Sequence, residues 1–528
     1  MRSSVIAAAA VSTWASLASA FVQGNCSGTD PSLQWLNTKL SPHAAIACRG
    51  EPLQLKNAGR YWGEQYGKNA SVVVYPITKE DVSYAVQASN MSPLGCDFAF
   101  VCGAHSQTGG SSATGFIIDL SWMNTTAILH NVTIGDTTIA TAVAYQGGAT
   151  WGGVNNATYN SGYCAVGARV ANVGVGGFST GGGIGFLAGT YGYATDRLRA
   201  MEVVLMDGKI VCATKTNKYS DLFFALQGGG GQFGIVTKFY QEAALEPTIS
   251  EVTIWTVANS SIEQAKQNTV DWFNKNDDPY SLMYYAFAYV PQNLATGAYG
   301  IQNILVGVRF GNPTSSTQKD FNATFAPLLK NLKFASQQSY NLPYAFLTDT
   351  IDGFFPYGFR RGFYGPQTTN ISVDYLSQID GTYNSYIAQQ LSKGDPGPTA
   401  LWALQYMYPG LNGHLPASDS DTAWPHSVAG HQTLFSPSWN LASDDSIVNT
   451  ENMAFNKITH DHQKTVGPTL GDYPNYISPD DTGRLVFGNN IERLINIKAK
   501  YDPLCRIHNG RVFASPACLL QGKANFFA

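Results

Sequence analysis

One segment governs what this chain can fold into: CAVGARVANVGVGGFSTGGGIGFLAGTYGY, ending at Tyr193 and dense in glycine. A flexible linker would be polar, whereas this stretch spaces Val, Phe and Ile among its glycines, so it reads as ordered backbone lying close against something flat or charged. A second cluster, LQGGGGQFGIVTKFY, follows the helix-like NKYSDLFFAL. The spacing does not fit G-x-G-x-x-G and the parallel-strand pattern expected after it is missing, which argues against a Rossmann domain. The glycine loops instead offer backbone N–H groups, as anion-binding nests, to a pyrophosphate.

Around these loops the chain reads as a β-rich α/β unit. SVVVYP is a strand stopped by a proline, and ITKEDVSYAVQAS has helical spacing with acidic residues in its first turn. CDFAFV is a short apolar strand, and where it ends VCGAHSQTGG places a lone histidine among small residues. From Pro247 the texture changes. The strand-like EVTIWTVA, SLMYYAFAYV, ILVGVRF and TALWALQYMYPG, with helical SIEQAKQNTVDWFNK and SVDYLSQIDGTYNSYIAQQL, predict an antiparallel sheet backed by helices. The expected division is a signal peptide at 1–20, a first domain over 21–245, a second over 246–470, and a helical segment over 471–528 that returns to the first.

MRSSVIAAAAVSTWASLASA combines one arginine, an apolar stretch and an Ala-Ser-Ala end, the pattern of a secretory signal peptide cleaved after Ala20. No later run is apolar and long enough for a membrane span, so the mature chain is expected to be soluble and secreted. Eight cysteines and sequons at Asn25, Asn69, Asn90, Asn124, Asn131, Asn156, Asn259, Asn322 and Asn370 suit a disulfide-bonded glycoprotein. If CDFAFVC is a strand, a rise of about 3.3 Å per residue holds Cys96 and Cys102 too far apart to pair. The other pairings stay open. A net charge of −4 with 13% charged residues and no basic run gives no footprint for nucleic acid, so a small molecule is the expected partner.

In order along the chain, YPITKEDV, GAHS, GFIIDLSWMN, VGVGGFSTGGGIGFLAGTYGY, GGQFGIVTKF, YPNYIS and FGNNIERLINIKAKYDP resemble the FAD-linked oxidases of the vanillyl-alcohol oxidase and berberine-bridge-enzyme type. The resemblance implies an α+β, two-domain PCMH-type FAD-binding fold with an antiparallel-sheet substrate domain. It implies an oxidase that passes hydride from a small organic alcohol to FAD and electrons on to molecular oxygen, or that cyclises a natural product on the same machinery. His105 matches the histidine bonded to the flavin 8α-methyl, with Ala104 replacing a glycine of the Gly-Gly-His-Ser loop. Cofactor contacts are expected from Gly103, Ala104, Ser106, Gln107, Gly109, Gly174, Val175, Gly177, Thr180, Gly181, Gly182, Gly185 and Ile235, with Asn475 and Asn490 holding the flavin or its neighbouring backbone. Val170 stands where some relatives have a second attachment cysteine and Cys164 lies six residues too early, which implies one covalent link, through His105. Tyr476, in Tyr473-Pro474-Asn475-Tyr476, matches the catalytic base, with Tyr406 next in line. Val175 matches a gate residue whose small size admits oxygen.

Sugar-oxidising relatives carry Trp-X-Gln-X-Asp on a strand of the second domain. The expected match is Trp402-Ala403-Leu404-Gln405-Tyr406, with Trp402 and Gln405 as substrate residues and Leu404 and Tyr406 at the Gln and Asp positions, which weakens carbohydrate oxidation. His460-Asp461-His462 puts its histidines on different faces of a helix without a third ligand, so no metal site is expected there.

Overall fold

The computed structural model describes residues 30–526 apart from 294–297, 316–318, 353–354, 356, 393–399 and 479–480. The signal-peptide segment, Asn25 and Cys26 lie outside these residues.

Two small sheets form the first half. In one, Phe98–Val101, Phe116–Asp119 and Val72–Tyr75 run parallel and Ala45–Cys48 adds an antiparallel edge. The helix Lys79–Met91 packs on it. It starts where the acidic residues of its first turn suggest, with a capping box in which Thr78 accepts from the Asp81 N–H and Asp81 accepts in return. The other sheet is antiparallel, ordered Thr126–Ile134, Thr137–Gln146, Ile235–Glu242, Leu198–Val204, Ile210–Thr214. Ile491, Leu494 and Ile497, from the helix Ile491–Tyr501 near the chain's end, are buried in the same core as Leu222, Phe223 and Leu226. A disulfide joins Cys505 to Cys518, thirteen residues apart, and Cys48 is also disulfide-bonded. Cys96 and Cys102 are free thiols and so do not pair with each other, although the strand between them spans only Phe98–Val101.

The second half is a large antiparallel sheet in which Phe334–Leu342, Ser250–Val257, Ala298–Phe310, Ser281–Asn293, Ala400–Gln405 and His431–Trp439 are successive neighbours. Alternation along SLMYYAFA decides its two faces. Met283, Tyr285 and Phe287 point to the helices Ile262–Lys275 and Val373–Ser392, whose Trp272, Phe273, Tyr375, Ile379 and Tyr383 complete a core. Tyr284, Ala286 and Ala288 point the other way, into a cavity shared with the first half. Large residues pack the helices and small ones leave the cavity open. Two of these strands were not read from the sequence: Phe334–Leu342, exposed along almost its whole length, and His431–Trp439, buried throughout despite Pro437.

Candidate active site

A cavity of about 450 Å³ lies between the glycine loops and the large sheet. On the loop side it is made of backbone. The His105 loop follows the strand Phe98–Val101, and the loop before the helix Val175–Thr180 crosses it at Gly103 and Gly174. A Cβ on Gly174 would sit 2.3 Å from the Gly103 nitrogen. The second glycine cluster is tied in by Gly228 and Gly230, whose N–H groups both donate to the Thr180 carbonyl. At Gly177 and Gly230, both lining the cavity, a Cβ would meet nothing within 4 Å, so glycine leaves open space there that a side chain would fill. These loops fit a dinucleotide with its pyrophosphate against backbone.

Ala104 has φ +57°, a backbone conformation that costs an L-residue roughly 1–2 kcal/mol and that the glycine it replaces would adopt freely. The strained turn aims His105 into the cavity. Its ring stacks on Trp62 at 5.5 Å, and its Nε2 meets the Tyr357 hydroxyl at 3.3 Å. Burial holds the imidazole down to about 4, Asn172 opposes this, and the charges of Arg60 and Arg361 add to it. His105 is therefore neutral at physiological pH, with its nitrogen lone pair available as a nucleophile. Gln107 does not reach toward a ligand. Its amide pairs with both the N–H and the carbonyl of Phe363 and also donates to the Asn475 carbonyl, pinning the His105 loop to the opposite wall.

Tyr476 enters from a short turn, Pro474–Tyr476, fixed by its neighbours: the Tyr473 hydroxyl accepts from the N–H groups of Gly183 and Ile184 and from the Asn475 amide. Arg169, unremarked in the sequence, is 9% exposed and donates through one Nη to the Tyr476 hydroxyl and through the other to Gln405 Oε1. Gln405 in turn donates to the Gly185 carbonyl. Burial works against the Arg169 charge, but the phenols of Tyr476, Tyr284 and Tyr473 outweigh it and raise its pKa. Burial raises the Tyr476 phenol above its ordinary value and Arg169 pulls it back. The only sequence hint was an arginine inside an otherwise apolar, glycine-rich segment.

Several expected site residues lie elsewhere. Trp402, Leu404 and Tyr406 face the helices: Trp402 and Leu404 are buried in that core, and Tyr406 donates to the Asn276 carbonyl and packs on Trp272 and Phe273. The expected strand match is one residue out of register, because Leu401 and Ala403 face the cavity, and Gln405 touches it only through Arg169. Tyr406 is thus excluded as a base and Trp402 as a substrate contact. Val175 is completely buried in the first-half core, with its N–H on the Ala149 carbonyl, so it gates nothing in the cavity. Ile235 points into the core beneath the parallel sheet. Asn490 does not line the cavity and instead holds backbone, donating to the carbonyls of Asp419, Thr422 and Ala423. Gly109, Gly182 and Gly185 shape the loops from behind: Gly182 lies under Trp424, and Gly185 touches the Gly167 carbonyl. The remaining expected residues, Gly103, Ala104, Ser106, Gly174, Gly177, Thr180, Gly181 and Asn475, line the cavity with His105 and Gln107. Val170 lines it beside Trp62 and Phe355, whereas Cys164 is buried away from it, its thiol near the Leu245 carbonyl. Another sulfur does reach the cavity: Cys102, whose thiol burial pushes up to about 12.

The His460 triplet is spent internally. His460 pairs with Asp472, His462 stacks on Tyr375 and meets the Asn370 carbonyl, and Asp461 bridges Lys457 and Lys464.

The architecture is an α+β, two-domain PCMH-type FAD-binding fold, and the chain is an FAD-linked oxidoreductase. It matches the FAD binding domain family over residues 70–214 and the berberine and berberine like family over residues 472–505. An FAD-dependent monooxygenase of Emericella nidulans is 28% identical over 481 residues, covering 89% of this chain and 94% of that protein. An FAD-linked oxidoreductase of Dictyostelium discoideum is 24% identical over 468 residues, covering 86% and 91%. Among solved structures, a chitooligosaccharide oxidase superposes with TM-score 0.71 at 18% identity over 92% of this chain and 100% of its own. The glucooligosaccharide oxidase of Acremonium strictum, which carries 6-S-cysteinyl, 8α-N1-histidyl FAD, superposes with TM-score 0.71 at 20% identity over 92% and 99%. Among the described residues no helix is long and apolar enough to cross a membrane.

Proposed function

We propose that the protein is a secreted oxidase acting on a small, largely apolar alcohol, with its FAD covalently held through His105 alone. The observation that carries this reading is the Arg169–Tyr476 pair, set in the same cavity as His105 above a sheet face of alanine, valine, isoleucine and leucine. Bound FAD supplies a hydride acceptor that molecular oxygen regenerates, giving hydrogen peroxide. The chain's own residues do the rest. His105 anchors the cofactor, and the glycine loops hold its phosphates with backbone N–H groups. Arg169 stabilises the phenolate of Tyr476, and that phenolate accepts the alcohol proton to become the phenol as the C–H hydride leaves. The apolar wall excludes water from that proton transfer.

Oxidative cyclisation of a natural product on the same cavity is the second reading. Oligosaccharide oxidation, the activity in the names of two structural neighbours, fits less well, because the sheet beneath Tyr476 offers few polar groups to sugar hydroxyls. The eight described sequon asparagines are all exposed, which is compatible with glycosylation during passage through the secretory route.

The test is anaerobic mixing of the yellow protein with a panel of apolar primary and benzylic alcohols, followed by air. Bleaching, then recovery with stoichiometric peroxide faster than free reduced flavin reoxidises, supports the oxidase. Bleaching without rapid recovery in air identifies a dehydrogenase, and no bleaching by any alcohol rejects the substrate class.

A further inference from the structure

The cavity continues well past Tyr476, and sheet register maps its floor. Directly across neighbouring strands, Gln405 pairs with Tyr284, Tyr284 with Val306, and Val306 with Ile254. A parallel rung runs Leu434, Ala403, Ala286, Ile304. Beyond them Val308 pairs with Val252 and Val252 with Tyr340, on the edge strand. Apart from Gln405, all these residues line the one cavity. From the Gln405 strand to the Tyr340 strand are four strand spacings, about 19 Å at roughly 4.8 Å each. The polar groups sit at one end, where Arg169, Gln405, Tyr476 and Tyr284 meet. The other end reaches solvent at Tyr340, which is 39% exposed. Polar side chains along the far stretch bond within the protein: Thr350 donates to the Leu347 carbonyl, and Tyr340 to Gln338. A sugar chain laid there would lose its water without replacement, whereas an alkyl or fused-ring body loses nothing.

We infer that the substrate is an elongated apolar molecule with a single oxygenated end, its hydroxyl held at Tyr476 and its apolar body laid along the Val306, Ile254, Val252 groove toward Tyr340. This rests on the alcohol oxidation proposed above but makes a separate prediction about binding. Affinity grows with chain length by the burial of methylenes, about fourfold for each one fully covered.

The holoenzyme is titrated with 4-alkylbenzamides from methyl to decyl, which bind without being oxidised, reading Kd from the flavin spectrum. The matching 4-alkylbenzyl alcohols are assayed for anaerobic flavin bleaching. The expected result is a Kd that falls about fourfold per methylene and then levels off, with most of that gain lost in Ile254→Asp and no binding of cellobiose or chitobiose. A Kd independent of chain length, or a disaccharide bound more tightly than the hexyl compound, overturns the groove. A clear chain-length slope with no bleaching by any alcohol upholds the groove and rejects the oxidation. Because the wild-type series alone reads the slope, the test survives a variant that fails to fold.

Discussion

The loop wall of the cavity and the sheet wall opposite are made of different material. At Gly103, Gly174, Gly177 and Gly230 the loop wall presents backbone with no side chain in front of it. At Tyr284, Ala286, Val306 and Ala403 the sheet wall presents side chains, each chosen by its place in a strand. A backbone wall suits a ligand that never changes, and a side-chain wall can be rewritten residue by residue for a different substrate. Tyr476, Arg169 and His105 stand where the two meet.

Substitutions on each wall separate the two roles. The largest effect is expected from His105→Ala, which removes the attachment point: flavin that stays with acid-precipitated wild-type protein passes entirely to the supernatant. Tyr476→Phe keeps the ring against Phe363, 4.9 Å away, but removes the proton acceptor. Flavin content should hold while anaerobic flavin reduction slows by roughly 10² to 10⁴-fold, read by stopped flow. An unchanged rate would move the base off the junction. The smallest effects are expected behind the walls. Val175→Leu adds a methylene to a filled core and should cost about 1–3 kcal/mol, read as a lower Tm, with air reoxidation unaltered. Trp402→Phe should likewise lower Tm by an amount worth roughly 0.5–3 kcal/mol and leave KM for alcohols unchanged, because its ring packs against Phe287 on the helix side.

The contrast between the walls also explains what could be read from sequence. Glycine spacing survives translation into structure almost unchanged, because a loop that approaches a ligand through its backbone has few alternatives to glycine. The strand-like SLMYYAFA and the small residues around His105 were legible for that kind of local reason, whereas His105 and the Tyr473–Tyr476 turn were singled out as site residues by the family resemblance. The strand carrying Trp402 was not, since a one-residue slip exchanges its two faces and nothing in LWALQY says which face meets the cavity. His431–Trp439 hid behind Pro437, and Phe334–Leu342 behind a polar surface on both faces. Arg169 was invisible because its value comes from Tyr476, 307 positions away in the chain. Asn490 and Val175 fell inside matching motifs but serve packing.

The central claim is that Arg169 makes Tyr476 a usable base, and the pH dependence of anaerobic flavin reduction in wild type and Arg169→Met tests it most directly. Burial already lifts the Tyr476 phenol above its ordinary value and Arg169 opposes that lift, so removing the arginine raises the phenol further. The account predicts a rate that climbs with pH in both proteins, with the climb displaced to higher pH in the variant and the rate below it reduced about tenfold for each unit of displacement. Superimposable profiles in the two proteins, with flavin content equal, would contradict it.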